Sequence, residues 1–255
     1  MTLLNKEKKS KEQELEAYLY ASDKARLVEM VTEMGERASS ALKEALSALK
    51  KQDVTLAQRV IEGDDVIDEL EEQIDQECLY SIAMRQPMRE DLRFVYAVMK
   101  IITDIERIGD QAVNISLRLV KLTPADRRDF PMLDDIDEMA EHNMTMLKEA
   151  LDAFIREDAS IIASTRAHRK KVHQIRDGAV EKLMKNSSPT TPQDITTGKL
   201  FASMWILRHL SRISDHVLNL AEKVAFIATG VSPLTMKKMG QKEAAESRAK
   251  QLGDI

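Results

Sequence analysis

Acidic side chains recur four residues apart in two stretches of the sequence that have helical character. Glu106 and Asp110 form one pair, and Asn114 follows at the same spacing. Asp64 and Asp68 form the other pair. Because positions i, i+4 and i+8 lie along one stripe of an α-helix, the members of each set point the same way. Two carboxylates at this spacing repel each other by about 0.2–0.5 kcal/mol in an isolated helix, which predicts a compensating cation.

A metal ion and an arginine side chain could both supply that cation, and the spacing alone does not choose between them. An antiparallel hairpin about a turn near Arg89 would gather the acids as follows: Asp68 opposite Asp110, Asp64 opposite Asn114, and Glu71 and Glu72 near Glu106. Such an oxygen-rich group suits hard or borderline cations such as Mg, Mn, Fe or Zn. The alternative is a solvated acidic face neutralised by arginines, namely Arg85, Arg89, Arg93 and Arg107. No histidine follows a glutamate by three residues, which argues against a ferritin-like di-iron oxidase.

The composition predicts that long helices position these acids. Aromatic residues make up only 4% of the 255 residues, which include eight Gly and six Pro. This scarcity, beside abundant Ala, Leu, Met, Glu and Lys, favours helices over strands. Caps and breakers divide the chain into six predicted helices. The residues that mark the starts of the helices are, in chain order, Ser22-Asp23, Asp53, Pro87, Pro131, Asp158 and Gln193. Pro124 follows the third helix and Gly230 follows the sixth.

The two halves of the sequence superpose without a gap when one is shifted by 105 residues. Residues 42–46 then match residues 147–151 at every position, and the inter-helix Pro87 falls on Pro192. In the same register the later motif is repeated: Arg107, Asp110 and Asn114 fall on Arg212, Asp215 and Asn219. These matches in one register indicate a tandem duplication. The predicted fold is all-α, a tandem pair of three-helix bundles with six long helices, with repeats over 22–123 and 126–230 and a polar tail over 231–255.

The acidic cluster is complete only in the first copy. The positions equivalent to Asp64, Asp68 and Glu106 hold a different set of residues, Arg169, His173 and Ser211. Only Asp215 keeps its acid. We therefore expect Arg169 or His173 to pair with Asp215, so that an ion pair replaces a metal in the second copy.

Two groups of motifs, one in each half, carry a resemblance to a known family. The first group is Val60-Ile61-Glu62-Gly63-Asp64, Ile67-Asp68-Glu69-Leu70, Arg85-Gln86-Pro87, Asp91-Leu92-Arg93 and Ile105-Glu106-Arg107-Ile108-Gly109-Asp110. The second group is Arg208-His209-Leu210-Ser211-Arg212-Ile213-Ser214-Asp215-His216 with Asn219-Leu220-Ala221-Glu222. Over roughly residues 22–230 the chain resembles the PhoU family, and its first-half motif is the more specific of the two.

The resemblance implies a cytoplasmic regulator of phosphate uptake and phosphate-responsive signalling. Its implied partners are the ATPase subunit of the high-affinity phosphate ABC transporter, a phosphate sensor histidine kinase and a second copy of the chain. It would restrain the starvation response when phosphate is plentiful. The family's acidic motifs can hold metal clusters, so the resemblance gives metal-ligating roles to Asp64, Asp68, Glu106, Asp110 and Asp215, with Asn114, Arg107, Asn219 and Arg212 in support.

Charge and motifs narrow the remaining function classes. A net charge of −5 argues against binding to nucleic acid, and no apolar run is long enough to cross a bilayer. The lone Cys78 fits a reducing compartment, so we expect a cytoplasmic protein that meets the membrane only through partners. No phosphate loop, nucleophile motif or triad is visible, which favours a non-enzymatic adaptor. The alternatives are a metal-binding or metal-dependent hydrolytic helical protein and a PhoU-like regulator of another transporter.

Overall fold

Helices alone build the part of the chain that is described. The computed structural model describes residues 2–128, 130–186, 196–232, 234, 235 and 238, with side chains from residue 18 onward and only the backbone of residue 186. Within these ranges lie eight helices: α1 (Thr2–Lys51), α2 (Val54–Glu62), α3 (Asp65–Arg85), α4 (Glu90–Lys121), α5 (Pro124–Arg127), α6 (Leu133–Arg156), α7 (Ile161–Asn186) and α8 (Thr197–Thr229). The predicted all-α class is confirmed.

Each half forms a three-helix bundle around apolar stripes. In the first bundle α1 packs against α2, α3 and α4, and in the second α6, α7 and α8 pack against one another. Because Ile101, Ile105 and Ile108 recur at helical spacing, α4 buries all three completely. The two cores merge into one apolar cluster where α4 meets α8 and α1 meets α6. The predicted tandem pair of bundles is confirmed, while the proposed repeat boundaries stay predictions.

The first helix begins earlier than predicted. Ser22 and Asp23 do not cap it, because α1 runs through them from Thr2. The preceding residues are rich in Lys, Glu and Leu, whose helix propensity is high enough to carry the helix through a Ser-Asp pair. Asp23 instead accepts a hydrogen bond from Arg85 Nε at 2.8 Å, which ties α1 to the end of α3. The predicted cap was therefore wrong.

The predicted second helix is two helices, α2 and α3, which break at Gly63 and Asp64. Asp53 caps α2 as predicted, since its carboxylate accepts a backbone N–H bond. The low helix propensity of glycine favours the break, and the break places Asp64 at the N-terminus of α3. In the second repeat the equivalent positions are His168 and Arg169, and α7 runs through them uninterrupted.

The other boundaries lie within a few residues of their predicted places. α4 ends before Leu122, and Thr123 then caps the short α5, which the sequence reading did not include. α6 and α7 begin two or three residues after Pro131 and Asp158. The predicted start of the sixth helix near Gln193 and most of the tail lie outside the described residues.

A pseudo-two-fold axis relates the bundles at the crossing of α4 and α8. His216 Nδ1 lies 2.9 Å from Asp104 Oδ1, and His209 Nδ1 lies 2.9 Å from Gln111 Oε1. In the 105-residue register His209 is the equivalent of Asp104, and His216 is the equivalent of Gln111. The contact between Asp104 and His216 is therefore repeated by the contact between their counterparts, His209 and Gln111, as in an isologous dimer interface. The duplicated halves pack like two subunits.

The stop at the end of α8 depends on Gly230. It has φ +71°, and its N–H donates to Phe226 O at 2.9 Å, as in the predicted glycine cap. A Cβ here would lie 2.6 Å from Arg93 Nη1, whose guanidinium donates from Nε to Ile227 O across the two bundles.

Gly230→Ala is expected to lower the free energy of unfolding by about 1–2 kcal/mol, because alanine is strained at positive φ and displaces Arg93. Chemical denaturation followed by circular dichroism measures the change. Gly178→Ala is the matched control, since nothing lies within 4 Å of a Cβ there and alanine favours a helix interior. Equal behaviour of the two variants would contradict the cap.

Candidate functional site

The predicted acids of the first bundle converge where the break between α2 and α3 faces the middle of α4. Asp64 stands at the break, Asp68 in the first turn of α3, and Glu106 and Asp110 on α4. Gly109 allows the two helices to approach, because a Cβ there would lie 2.9 Å from Ile67 Cδ1 and 3.5 Å from Asp64 Oδ1. We call Asp64, Asp68, Glu106 and Asp110 the acidic cluster.

The carboxylates of the acidic cluster repel one another. Burial, and then the charges of Asp68, Asp110 and the nearby Asp65, raise the pKa of Asp64 to about 6. Burial, and then the charge of Asp110, raise the pKa of Glu106 to about 7 despite the opposing effect of Arg107. A cation bound here would remove the part of each shift that comes from repulsion between the carboxylates.

Arg107 supplies part of the missing positive charge. Its Nη1 donates to Asp110 Oδ2 at 3.0 Å, and its Nε lies 3.2 Å from Glu106 Oε2. That Oε2 is nevertheless buried, and no described residue donates a hydrogen bond to it. The spacing of the acids allowed either an arginine or a metal ion to compensate their charge. Arg107 does so in part, while the unpaired oxygen of Glu106 could still bind a metal ion.

The register of the hairpin differs from the prediction. Asp64 lies beside Gly109 and near Asp110, whereas it was expected opposite Asn114. The helix break at Asp64 is the cause, since the prediction assumed one straight helix through this position. Asn114 turns its amide back to donate to Asp110 O at 2.8 Å. Glu71 lies near enough to raise the pKa of Glu106, in agreement with the prediction.

In the second bundle an ion pair stands where the first has acids. Arg169 Nε donates to Asp215 Oδ1 at 2.6 Å, and His173 Nε2 lies 3.3 Å from the same oxygen. Ser211 donates its hydroxyl to Leu207 O within α8. The predicted pairing of Asp215 is confirmed. The family resemblance implied that Asp215 ligates a metal, but in the structure its carboxylate is paired with Arg169 and His173.

The supporting residues of the second motif have separate surroundings. Asn219 Nδ2 donates to Asp104 Oδ1 at 3.1 Å, so Asn219 and His216 share one acceptor on α4. Arg212 is exposed and forms no ion pair with any described residue. The sequence did not predict the contact between Asp104 and His216, nor the equivalent contact between His209 and Gln111.

Comparison with known proteins identifies the family to which this architecture belongs. A family model described as the PhoU domain matches the chain twice, over residues 31–119 and 136–224. The chain belongs to the PhoU family. The two matches fall within the two bundles, so the duplication seen in the sequence is a duplication of the PhoU domain.

Relatives in the PhoU family are similar over most of this chain. A phosphate-specific transport system accessory protein PhoU homolog from Pseudomonas putida is 32% identical over 208 residues, 81% of this chain and 80% of the relative. The accessory protein PhoU of Escherichia coli is 34% identical over 203 residues, 78% of this chain and 81% of that protein.

Solved PhoU structures share the fold. The crystal structure of PhoU from Pseudomonas aeruginosa has a TM-score of 0.75 at 31% identity and covers 83% of this chain and 100% of that one. The phosphate transport system regulatory protein PhoU from Streptococcus pneumoniae has a TM-score of 0.76 at 22% identity, covering 83% of this chain and 98% of that one, and shows the fold alone. None of the described helices of this PhoU-family chain could span a membrane.

The donor set of the acidic cluster matches a hard cation in its chemistry, since it consists of carboxylate oxygens, one of them without a partner. Its arrangement is not that of a closed ligand set. Among the described residues, no three His, Cys, Asp or Glu side chains are placed to hold a metal ion together. A metal would therefore have to draw the carboxylates inward and displace Arg107 from Glu106 and Asp110.

Proposed function

We propose that this chain is an accessory protein of a phosphate-specific transport system and restrains phosphate uptake and phosphate-starvation signalling when phosphate is plentiful. The observation that carries the proposal is the PhoU-domain match in both bundles, together with relatives named as phosphate-specific transport system accessory proteins that are similar over about four fifths of their length. In this proposal the chain acts in the cytoplasm, by binding partners and without catalysis.

The proposed partners are the ATPase subunit of the phosphate transporter, a phosphate sensor histidine kinase and a second copy of the chain. An apolar surface near the end of α3 supports such contacts. Its members are large side chains left exposed on α3 and in the turn to α4, namely Leu79, Tyr80, Met84 and Met88. Exposed apolar groups near one another are typical of interaction sites, and methionine adapts to differently shaped partners.

The proposed metal site is confined to the first bundle. The ligands would be Asp64, Asp68, Glu106 and Asp110, and the cation would be Fe, Mn, Mg or Zn. The raised pKa values of Asp64 and Glu106 support it, because each carboxylate gains from a nearby positive charge. Asp215 contributes no equivalent site while Arg169 holds it.

Deletion of the gene tests the regulatory role. In the deletion strain, phosphate-starvation genes are expected to be expressed in phosphate-rich medium, and the intact gene should restore repression. Met84→Glu should fail to restore it, because a charge on the apolar surface opposes docking. Met184→Glu is the control, since Met184 is exposed to a similar degree on the other bundle. Unchanged regulation after deletion would contradict the proposed function.

A further inference from the structure

Three arginines, one on α4 and two on α8, lie near His209 and have no acidic partner among the described residues. Arg118 comes from α4, and Arg208 and Arg212 come from successive turns of α8. No described carboxylate forms an ion pair with any of these arginines, although the chain as a whole carries a net charge of −5. We call Arg118, Arg208 and Arg212 the arginine cluster.

The side chain of Trp205 holds two of these guanidinium groups in place. Arg118 Cζ lies 4.7 Å from the centroid of its ring and Arg208 Cζ lies 5.5 Å from it. Stacking on an aromatic ring leaves the N–H groups at the edge of a guanidinium free to donate. Trp205 is 39% exposed, so a small ligand can reach the cluster from solvent.

A buried histidine, His209, lies beneath Trp205 next to the arginine cluster. His209 is 4% exposed and stacks on Trp205 with ring centroids 5.8 Å apart. Gln111 Nε2 donates to Arg107 O, so its Oε1 faces His209 Nδ1, which carries the proton. In that tautomer His209 Nε2 is an acceptor, and it is buried with no hydrogen-bond partner among the described residues. Arg118 Nε is a donor and is buried there without a partner as well. An anion would therefore accept from Arg118, and His209 Nε2 would donate to it only after protonation.

The electrostatics of His209 reflect the missing negative charge. Burial, and then the charges of Arg118, Arg212 and Arg208, lower the pKa of His209 to about 4. No acid among the described residues opposes these effects. An anion bound among the arginines would raise this pKa, because it would favour the imidazolium form.

The pseudo-two-fold axis shows that the opposite half contains the anion missing here. There the counterpart of His209 is Asp104, whose Oδ1 accepts from Asn219 and lies against His216. Replacement of that carboxylate by His209 removes an internal anion from this half.

The duplication also explains why Arg212 has no acidic partner in the described part of the chain. Its counterpart, Arg107, donates to Asp110. In the second bundle the acid equivalent to Asp110 is Asp215, and Arg169 already occupies it.

We propose that Arg118, Arg208 and Arg212, placed around Trp205 and His209, bind a phosphate-type oxyanion. Guanidinium groups match the geometry of such an ion and form charge-assisted hydrogen bonds with it. The choice of phosphate among oxyanions rests on the proposed function, whereas the presence of an anion site rests on the cluster alone. The phosphate would be free inorganic phosphate or the phosphate of a nucleotide.

Titration of the full chain, dialysed free of phosphate, tests the site. Trp205 is the only tryptophan, so its fluorescence reports on the cluster directly. Inorganic phosphate at constant ionic strength is expected to give a saturable change, with a matching heat in calorimetry. Arg118→Gln and Arg212→Gln should each weaken binding about tenfold or more. Lys223→Gln is the control, since Lys223 is the counterpart of Arg118 at the other end of the pseudo-two-fold axis.

Parallel titrations with ATP and sulfate separate the sources of the anion. Saturable binding of phosphate or of ATP that both arginine variants weaken supports the site and identifies its ligand. An absence of saturable binding, or equal binding by wild type and Arg212→Gln with both folded by circular dichroism, overturns it. If binding fails while gene deletion still derepresses starvation genes, the site alone is refuted and the proposed function stands.

Discussion

Phe154→Ala is expected to lower the free energy of unfolding by about 3–5 kcal/mol, which is typical of truncating a fully buried aromatic side chain. Phe154 on α6 is 1% exposed and stacks on Phe94 of α4 with ring centroids 6.0 Å apart and 12° between the planes. The pair therefore joins the second bundle to the first. Because one apolar cluster runs through both bundles, the loss should appear in a single unfolding transition.

Phe201→Ala is the matched control for this truncation. Phe201 on α8 is 59% exposed, so its removal is expected to change stability by less than about 0.5 kcal/mol. Urea or guanidinium denaturation followed by circular dichroism measures both variants. A cost below about 1 kcal/mol for Phe154→Ala, or two separate transitions in the wild type, would contradict a shared core.

The architecture could be predicted from the sequence because local patterns that recur along the chain determine it. The isoleucines of α4 recur at helical spacing, Asp53 and Gly230 mark helix ends by their own chemistry, and the 105-residue register reports the duplication. The break at Gly63 was not predicted because a helix often tolerates a single glycine. The early start of α1 was not predicted because a Ser-Asp pair can either cap a helix or lie within one.

The site could be predicted only in part, for a related reason. Asp64, Asp68, Glu106 and Asp110 share spacings that a single helix displays, so the acidic cluster was visible in the sequence. The pairing of His216 with Asp104 depends on how α4 crosses α8, and the spacing within either helix does not encode the crossing. The arginine cluster has the same origin, since Arg118 joins Arg208 only across the interface.

Glu106→Gln is expected to stabilise the metal-free protein at about pH 8 by roughly 1–2 kcal/mol. Burial and the neighbouring Asp110 raise the pKa of Glu106 to about 7, so ionising this side chain costs more in the folded chain than in the unfolded chain. The full shift would correspond to a larger change, but partial contact of Glu106 with solvent screens it. Glutamine keeps the shape and removes the charge.

The sign of the pH dependence follows from the raised pKa. Below the ordinary pKa of a glutamate the carboxyl is neutral in both states and carries no penalty. As pH rises toward about 7 the unfolded chain releases the proton first, so the folded state loses stability, and above about 7 the loss is constant. The advantage of Glu106→Gln should therefore shrink toward zero as the pH falls to about 4.5. Denaturation curves of the chelator-treated protein at several pH values measure this trend.

Added metal should reverse the order of the two proteins. A divalent cation at the acidic cluster would stabilise the wild type, because it neutralises the repulsion that Glu106 and Asp110 create. Glu106→Gln lacks one ligand and should gain much less from Mn or Mg. Glu69→Gln, an exposed position on α3, should follow the wild type in both conditions. Equal stabilisation of the wild type and Glu106→Gln by metal would show that the cation binds elsewhere. If the stability difference between the two proteins did not change with pH, the electrostatic penalty assigned to Glu106 would be refuted.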